Sequence, residues 1–435
     1  MSKKSFNDEL IEFLELSPTP FHAVTNVRKA LEAAGFKELK ETTEWKLKNR
    51  GKYFVIRNDS SIAAFHLSSR KGFREGFRMV GAHTDSPCLK LKPNPIRSKS
   101  GYQQLCVETY GGVLMNPWFD RDLSIAGKVT IRANNQFKNV LVDFKMPLAI
   151  IPSLAIHLDR DANNKRRVNP QTMLYPIIAL GNDPAIDFDK ILRAQVRRQH
   201  KLPSSIKIIG SELLLYDTNP ISVVGLKEEF ITGARLDNLL SCFVGLKALI
   251  ESRSDQNLLL VCNDHEEVGS GSDVGAKGTF LKAVLERIVD NRNISEMMAL
   301  SMLVSTDNAH GVHPNFPEKH DAGHLPILNR GPVLKVNHNQ AYATNSETAA
   351  IIRHLSDRER ISLQSFVSRN DMGCGSTIGP LTATVVGVKT VDVGVPTFAM
   401  HSIRETAGTD DSFLLFKLLK SFYKLPSVEF NSTIC

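Results

Sequence analysis

Five short segments carry side chains able to bind a divalent metal or move a proton. They are His83-Thr-Asp85, Asp237-Asn238, Glu266-Glu267, Ser305-Thr-Asp307 and Met400-His401-Ser402. Imidazole nitrogens combined with carboxylate oxygens suit zinc, manganese or cobalt. Each segment alone has a plainer reading. A His-x-Asp triplet is commonly a surface loop, a Glu-Glu pair a solvated helix start, and a single histidine beside an apolar run a satisfied core residue. Position unites them: four follow strand-like runs or begin helices, and His401 follows the apolar run Val395–Met400. In open α/β sheets ligands bind at the C-terminal strand edge, where scattered residues can converge. Gly269-Ser-Gly-Ser-Asp-Val-Gly275 suggests a dinucleotide loop, but its spacing is GxGxxxG. Two carboxylates and a histidine also separate it from the preceding strand, where phosphate would be repelled, so no Rossmann site is expected.

The elements that must position these residues read as α/β. Phe6, Leu10, Phe13 and Leu14 share one face of a helix over Asn7–Leu16. Ser17-Pro-Thr-Pro breaks it, and Thr19-Pro20 reads as cap and first position of a helix over Phe21–Ala34, closed by Gly35. Met79–Ala82 is a short buried strand running into His83. From about Leu89 to Gly225, short alternating runs (Gln104–Thr109, Lys128–Arg132, Val140–Phe144) separated by turn residues imply a β-rich unit. Within it, Asp159–Arg198 reads as polar and irregular, with a basic helical stretch before Leu202-Pro203. Beyond Gly233 the texture returns to α/β. Leu239, Phe243, Leu246 and Ile250 mark an amphipathic helix, Leu258–Cys262 and Ala299–Ser305 read as strands, and a helix is expected around Glu347–Leu355. Strands alternating with helices imply a mostly parallel sheet covered on both faces. The expected organisation is a discontinuous α/β domain over 1–90 and 232–435, interrupted by a β-rich insertion over 91–231.

Composition narrows the partners. The chain of 435 residues is 42% hydrophobic and 23% charged, an ordinary globular balance. Its apolar runs fall short of the roughly 18 residues a membrane span needs, and the N-terminus lacks the apolar core of a secretory signal. A cytoplasmic protein without membrane association is expected. Six scattered cysteines never form CxxC, so reduced thiols are the default. The +8 charge is spread along the chain, and Lys165-Arg166-Arg167 and Arg197-Arg198-Gln199-His200-Lys201 are too short for a nucleic-acid arm. An acidic small substrate fits the charge equally well.

Several longer motifs then occur in a shared order: Ser17-Pro-Thr-Pro-Phe-His, Gly81-Ala-His-Thr-Asp-Ser-Pro, Gly233-Ala-Arg-Leu-Asp-Asn, Asp264-His-Glu-Glu-Val-Gly-Ser, Asp307-Asn-Ala-His-Gly-Val-His-Pro-Asn, Cys374-Gly-Ser-Thr-Ile-Gly-Pro and Ala399-Met-His-Ser-Ile-Arg-Glu. Over nearly its full length the chain resembles the M18 family of metallo-aminopeptidases, and within it the aspartyl aminopeptidases. The resemblance implies two zinc ions per subunit, with manganese or cobalt as alternatives in one position. His83 and Asp307 would hold one ion, Glu267 and His401 the other, and Asp237 would bridge them. Asp85 would orient the His83 imidazole, and Glu266 would act as general base. The free α-amino group of the substrate would contact one ion, which confines cleavage to the first residue.

For peptides with an acidic first residue, the resemblance matches Lys335 and His313 to the substrate carboxylate. Plainer readings are a solvated strand lysine and a loop histidine bonded near Pro314. His310 sits in the same loop without an assigned role. The resemblance also implies that the insertion is a dimerisation domain whose His157 completes a neighbouring subunit's site, and that dimers build a homododecamer. A partly buried strand histidine is the plainer reading of His157. Two positions depart from the family pattern: Ala341, where a basic residue is common, and Met372-Gly373 before Cys374. The expected activity is removal of N-terminal Asp or Glu. Alternatives are an M18 aminopeptidase of neutral or broad preference, an amidohydrolase of N-acyl amino acids, and a non-catalytic cage-forming binding protein.

Overall fold

Local capping decides where the chain first turns helical. Ser2 Oγ accepts from Ser5 N at 3.2 Å, so the first helix spans Lys3–Glu15 and starts ahead of the apolar stripe that revealed it. Thr19 Oγ1 accepts from His22 N and Pro20 occupies the first turn of helix Pro20–Ala33. The structure, a computed structural model, describes residues 1–68, 76–133, 136–181, 186–289 and 294–429. They form two compact units, one of residues 1–85, 221–400 and 405–435, the other of 86–220 and 401–404.

In the first unit a nine-stranded sheet runs in the order Lys37–Glu38, Lys52–Arg57, Ser61–His66, Asn257–Asn263, Phe77–His83, Met302–Thr306, Lys389–Gly394, Val333–Val336, Gln364–Val367. The four strands from Asn257–Asn263 to Lys389–Gly394 are mutually parallel. Antiparallel pairings flank this centre. The strand alternation divides the core: Leu258, Leu260 and Cys262 enter one apolar cluster, Leu259 and Val261 the other. Both faces are thus covered, which explains the unbroken apolar run. The fold is α/β, as the alternation of elements implied. A five-stranded sheet of the same unit orders Ser222–Val224, Phe230–Gly233, Glu405–Gly408, Pro396–Phe398 and Ala309–His310.

Two readings change. Helix Leu236–Glu251 is buried on nearly every side rather than amphipathic, because Phe6 and Phe13 of the first helix pack on Phe243 at 5.2 and 5.6 Å while strand residues cover its other flank. The apolar run expected as a strand over Ala299–Ser305 is split: a helix ends at Ala299 and the strand begins at Met302. Ser301 marks the break, its Oγ donating to Met297 O at 2.6 Å and accepting from Phe77 N at 2.7 Å. An apolar run by itself does not distinguish the two states.

The second unit is built on a six-stranded antiparallel sheet, Gln136–Asp143, Leu123–Ala133, Lys207–Asp217, Cys88–Lys99, Tyr102–Tyr110, Ile177–Leu180. The stretch expected to be irregular contains that last strand, and the basic helical stretch expected before Leu202-Pro203 is helix Phe188–His200. Asp187 Oδ1 caps the helix by accepting from Lys190 N at 2.9 Å, and Leu192 and Val196 are buried. Cys88, Cys106, Cys242, Cys262 and Cys374 are free thiols; Cys435 lies outside the described residues. Among the described residues no helix is long and apolar enough to cross a membrane.

Candidate metal centre

Three neighbouring parallel strands deliver the acidic and imidazole groups to one edge of the large sheet. His83 is the last residue of its strand and lies opposite Asn263, the last residue of the next. Glu266 and Glu267 follow Asn263 by three and four residues, and Asp307 follows Thr306 directly. Asp237 arrives from the smaller sheet. After Gly233 the chain passes Arg235 in a left-handed conformation (φ 63°), anchored by its guanidinium to Ser17 O at 3.0 Å. Asp237 and Asn238 are not yet helical. Asp237 N donates to Glu405 Oε2 at 2.9 Å, and Asn238 Nδ2 donates to Thr306 O at 2.8 Å, tying this turn to the residue before Asp307.

His83 is the centre of the cluster and is 1% exposed. Its Nε2 lies 3.5 Å from both Asp237 Oδ1 and Asp307 Oδ1. Its Nδ1 lies 3.1 Å from Asp85 O and 3.4 Å from Asp85 Oδ1. The Asp85 carboxylate also accepts from Glu266 N and Glu267 N, each at 3.1 Å. One buried carboxylate therefore orients the imidazole and fixes the backbone of the adjacent glutamates. His265, immediately before them, is also left-handed (φ 64°), a conformation held here by Ser272 Oγ on its Nδ1 at 2.8 Å.

Ligand atoms of His83, Asp237 and Asp307 lie within 4.8 Å of one another, as do those of His83, Glu266 and Glu267. Electrostatics match a cation site. Burial, then Asp237 and the other carboxylates, pushes Glu267 well above its ordinary value; burial, with Asp307, Asp85 and Asp237 adding to it against His83, raises Glu266 to about 7. Burial and Asp85 raise Asp264 to about 6. Burial opposes the charging of His83, but Asp237, Asp307 and Asp85 overcome it and raise its pKa. An imidazole surrounded by buried carboxylates is a donor set that fits divalent zinc.

All four shifts are upward, so the fold holds these protons more tightly than the unfolded chain does. Their stabilisation is complete below the ordinary pKa values and is lost as pH rises through the folded ones. The melting temperature of metal-stripped protein should therefore fall as pH rises from about 4 through about 7, the span set by Asp264 and Glu266. Gln at both 266 and 267 should flatten that fall in calorimetry; an unchanged slope contradicts the assignment.

The other expected residues fall as follows. Lys335 is 2% exposed, not a solvated strand lysine. Its Nζ donates to Asp307 Oδ2 at 3.1 Å, Asn308 O at 3.0 Å and Asp307 O at 3.3 Å, and lies 4.8 Å from the Tyr342 ring centre. Tyr342, His310 and His313 line a cavity of about 280 Å³. His313 Nδ1 accepts from Asn315 N at 3.2 Å, which leaves its proton on Nε2. His310 was left without a role by the sequence. Desolvation, then the Lys335 ammonium, lowers its pKa to about 4, so it is a neutral hydrogen-bonding group in the cavity wall. Its spacing from Asp307 was the available signal. Glu405, which holds Asp237, closes a motif whose histidine alone had drawn attention. Met372 and Gly373 line the same cavity, and Ala341 N donates to Asn337 Oδ1 at 3.3 Å.

His401 groups with the second unit, its Nδ1 3.1 Å from Gly112 O. It is left-handed (φ 70°) and follows the strand Pro396–Phe398 by three residues. His157 is in an exposed turn, not a strand: Leu158 N and Asp159 N donate to Ala155 O at 2.8 and 3.2 Å. Its neighbours Leu154, Ile156 and Leu158 are 58%, 47% and 75% exposed.

Known proteins resemble this chain along almost all of its length. The family described as "Aminopeptidase I zinc metalloprotease (M18)" matches residues 13–423. A "Probable M18 family aminopeptidase 2" of Pseudomonas aeruginosa (strain UCBPP-PA14) is 55% identical over 423 residues, 97% of this chain and 98% of its own. A Pseudomonas putida (strain F1) protein of the same description is 54% identical over 424 residues, covering 97% and 99%. Among solved structures, the one described as "Cryo-EM structure of the Ape4 and Nbr1 complex" superposes with a TM-score of 0.93 at 38% identity, over 97% of this chain and 86% of that one. The S. cerevisiae mApe1 dodecamer superposes with a TM-score of 0.83 at 30% identity, over 96% and 95%. Matched across almost its entire length, the chain belongs to the M18 family of zinc metalloproteases and is a metallo-aminopeptidase.

Proposed function

We propose that this aminopeptidase removes N-terminal Asp or Glu from peptides with the help of two zinc ions. His83 and Asp307 would hold one ion, Glu267 and His401 the other, and Asp237 would be shared between them. The observation that carries this reading is the convergence of imidazole and carboxylate ligand atoms around His83, with Glu266 alongside. His401 fits the set through its chain position, four residues before Glu405, whose carboxylate anchors Asp237. Bound zinc supplies Lewis acidity toward water and the scissile carbonyl. Glu266 receives the proton of the attacking water on its carboxylate and returns it to the departing amine nitrogen. Asp85 keeps the His83 Nε2 turned toward the ligands by holding Nδ1.

An acidic side chain needs a cation; Lys335, buried behind the cavity-wall residue Tyr342, is the one proposed to select it. Its Nζ already makes three hydrogen bonds, so a substrate carboxylate competes with the Asp307 and Asn308 oxygens for the ammonium. His313 Nε2–H offers a second donor from the wall. Lys335→Leu should lower kcat/KM on Asp-peptides about 10- to 100-fold more than on Leu-peptides. Because Lys335 also holds Asp307, zinc content is measured alongside. An equal fall on both peptides at full zinc content removes Lys335 as the selector and favours a broad preference.

The second unit, whose inserted segment begins at residue 86 and ends at 220 rather than spanning 91–231, is proposed to mediate dimerisation, with His157 completing the partner's site and dimers assembling into a dodecamer. Support comes from the exposed apolar side chains around His157 and from the dodecameric yeast relative.

A further inference from the structure

The sheet that ends in the metal ligands has a second functional candidate at its opposite end. Lys52 pairs with His66, and His66 pairs with Leu258, near the start of strand Asn257–Asn263. Asn263, beside His83, lies about 17 Å further along that strand. A cleft of about 430 Å³ opens at this end, and its lining includes Arg50, Lys52, His66, Ser252, Arg253 and Asp255.

Among the described residues, three cations share this cleft with one carboxylate, which leaves two positive charges over. None of the four enters an ion pair among the described residues. The Lys52 ammonium is steadied by the Phe36 ring, 5.4 Å from its centre, and keeps its hydrogen-bond donors. His66 registers the same field. Burial, then Lys52 and Arg50, lowers its pKa, so the imidazole is neutral at pH 7 and able to donate.

Ser252 provides an independent sign. It follows helix Leu236–Glu251, is 9% exposed, and its hydroxyl has no hydrogen-bond partner among the described residues. Other buried serine hydroxyls also lack a partner, but Ser252 is the one that lines this cleft, where an anion oxygen could accept its hydrogen bond. The neighbouring Ser254 is satisfied structurally, donating to Tyr423 O at 2.7 Å and accepting from Gln256 N at 3.1 Å.

We propose that this cleft binds a small phosphate-bearing anion, with Arg50, Lys52 and Arg253 matching its charge and the Ser252 hydroxyl donating to an oxygen. A phosphate dianion balances the two surplus charges, and a monoester carries that charge above about pH 6. Free phosphate and a phosphate ester offer the same recognised group.

Calorimetric titration of the zinc-loaded protein with inorganic phosphate, and in parallel with glycerol 3-phosphate, tests the site at about 150 mM salt. Saturable binding is expected, and the tighter of the two ligands identifies the source. Lys52→Gln combined with Arg253→Gln should weaken it at least about tenfold. Ser252→Ala should weaken it about fivefold and decides the matter if the double variant fails to fold. Phosphate bound at the metal centre is common to all these proteins and cancels in the difference. Peptide hydrolysis should stay within about twofold, since the cleft is remote from the metal ligands. Equal affinity in wild type and variants, or no saturable binding to wild type, overturns the proposal.

Discussion

Glu266→Gln should retain its zinc and lose nearly all turnover, with kcat falling about 10²- to 10⁴-fold. The substitution keeps the volume and the backbone N–H that Asp85 accepts, so the anchoring at 3.1 Å survives. What disappears is the ability to take up and release a proton at this point. Burial sets Glu266 apart from an ordinary carboxylate, pushing it to about 7, while Asp85, Asp237 and Asp307 add to the shift and His83 opposes it. Bound cations reverse part of this shift, so the acidic limb of the wild-type pH–rate profile is expected below that value. Retained zinc by mass spectrometry together with near-normal turnover would remove Glu266 from the general-base role.

Asp237→Ala should have the second large effect, through the metal rather than the proton. Asp237 Oδ1 lies 3.5 Å from the same Nε2 of His83 that faces Asp307. A carboxylate shared between two cations offsets their mutual repulsion, so its removal leaves both positions weakened. Zinc stoichiometry should drop toward zero under dialysis, and activity should fall by about three orders of magnitude or more. Glu405→Gln is the informative companion. It weakens the acceptor of Asp237 N without removing a proposed ligand, so zinc affinity should decline about 10- to 100-fold. Dialysis with a competing chelator measures both.

Much of the site was legible because strand ends announce themselves in the sequence. His83 and Asp307 each terminate an apolar run, and the parallel pairing of those strands puts their ends side by side. Glu266 and Glu267 follow the same logic. The helix Leu236–Glu251 was found by its apolar spacing, but its complete burial depends on Phe6, Phe13 and the sheet, partners that are distant in sequence. The burial of Lys335 was hidden for the same reason. Its strand pairs antiparallel with Lys389–Gly394, opposite Asp392, and its partners at 307 and 308 come from another strand end. Local pattern marks which residues could be inside but not which oxygens will meet an ammonium. His157 shows the reverse failure, since an apolar neighbourhood in the sequence suggested a strand and the chain instead makes an exposed turn. Ser252 carried no signal at all, because its burial follows from the end of a helix packed between two layers.

Anomalous diffraction at the zinc absorption edge, on crystals of the metal-loaded enzyme and of Asp237→Ala grown alike, tests the central claim most directly. Two peaks are expected in the wild type, one ligated by His83 and Asp307, the other by Glu267 and His401, with Asp237 touching both and neither peak at full strength in the variant. A single ion, or density lying away from His83, would show that these side chains do not form a dinuclear centre.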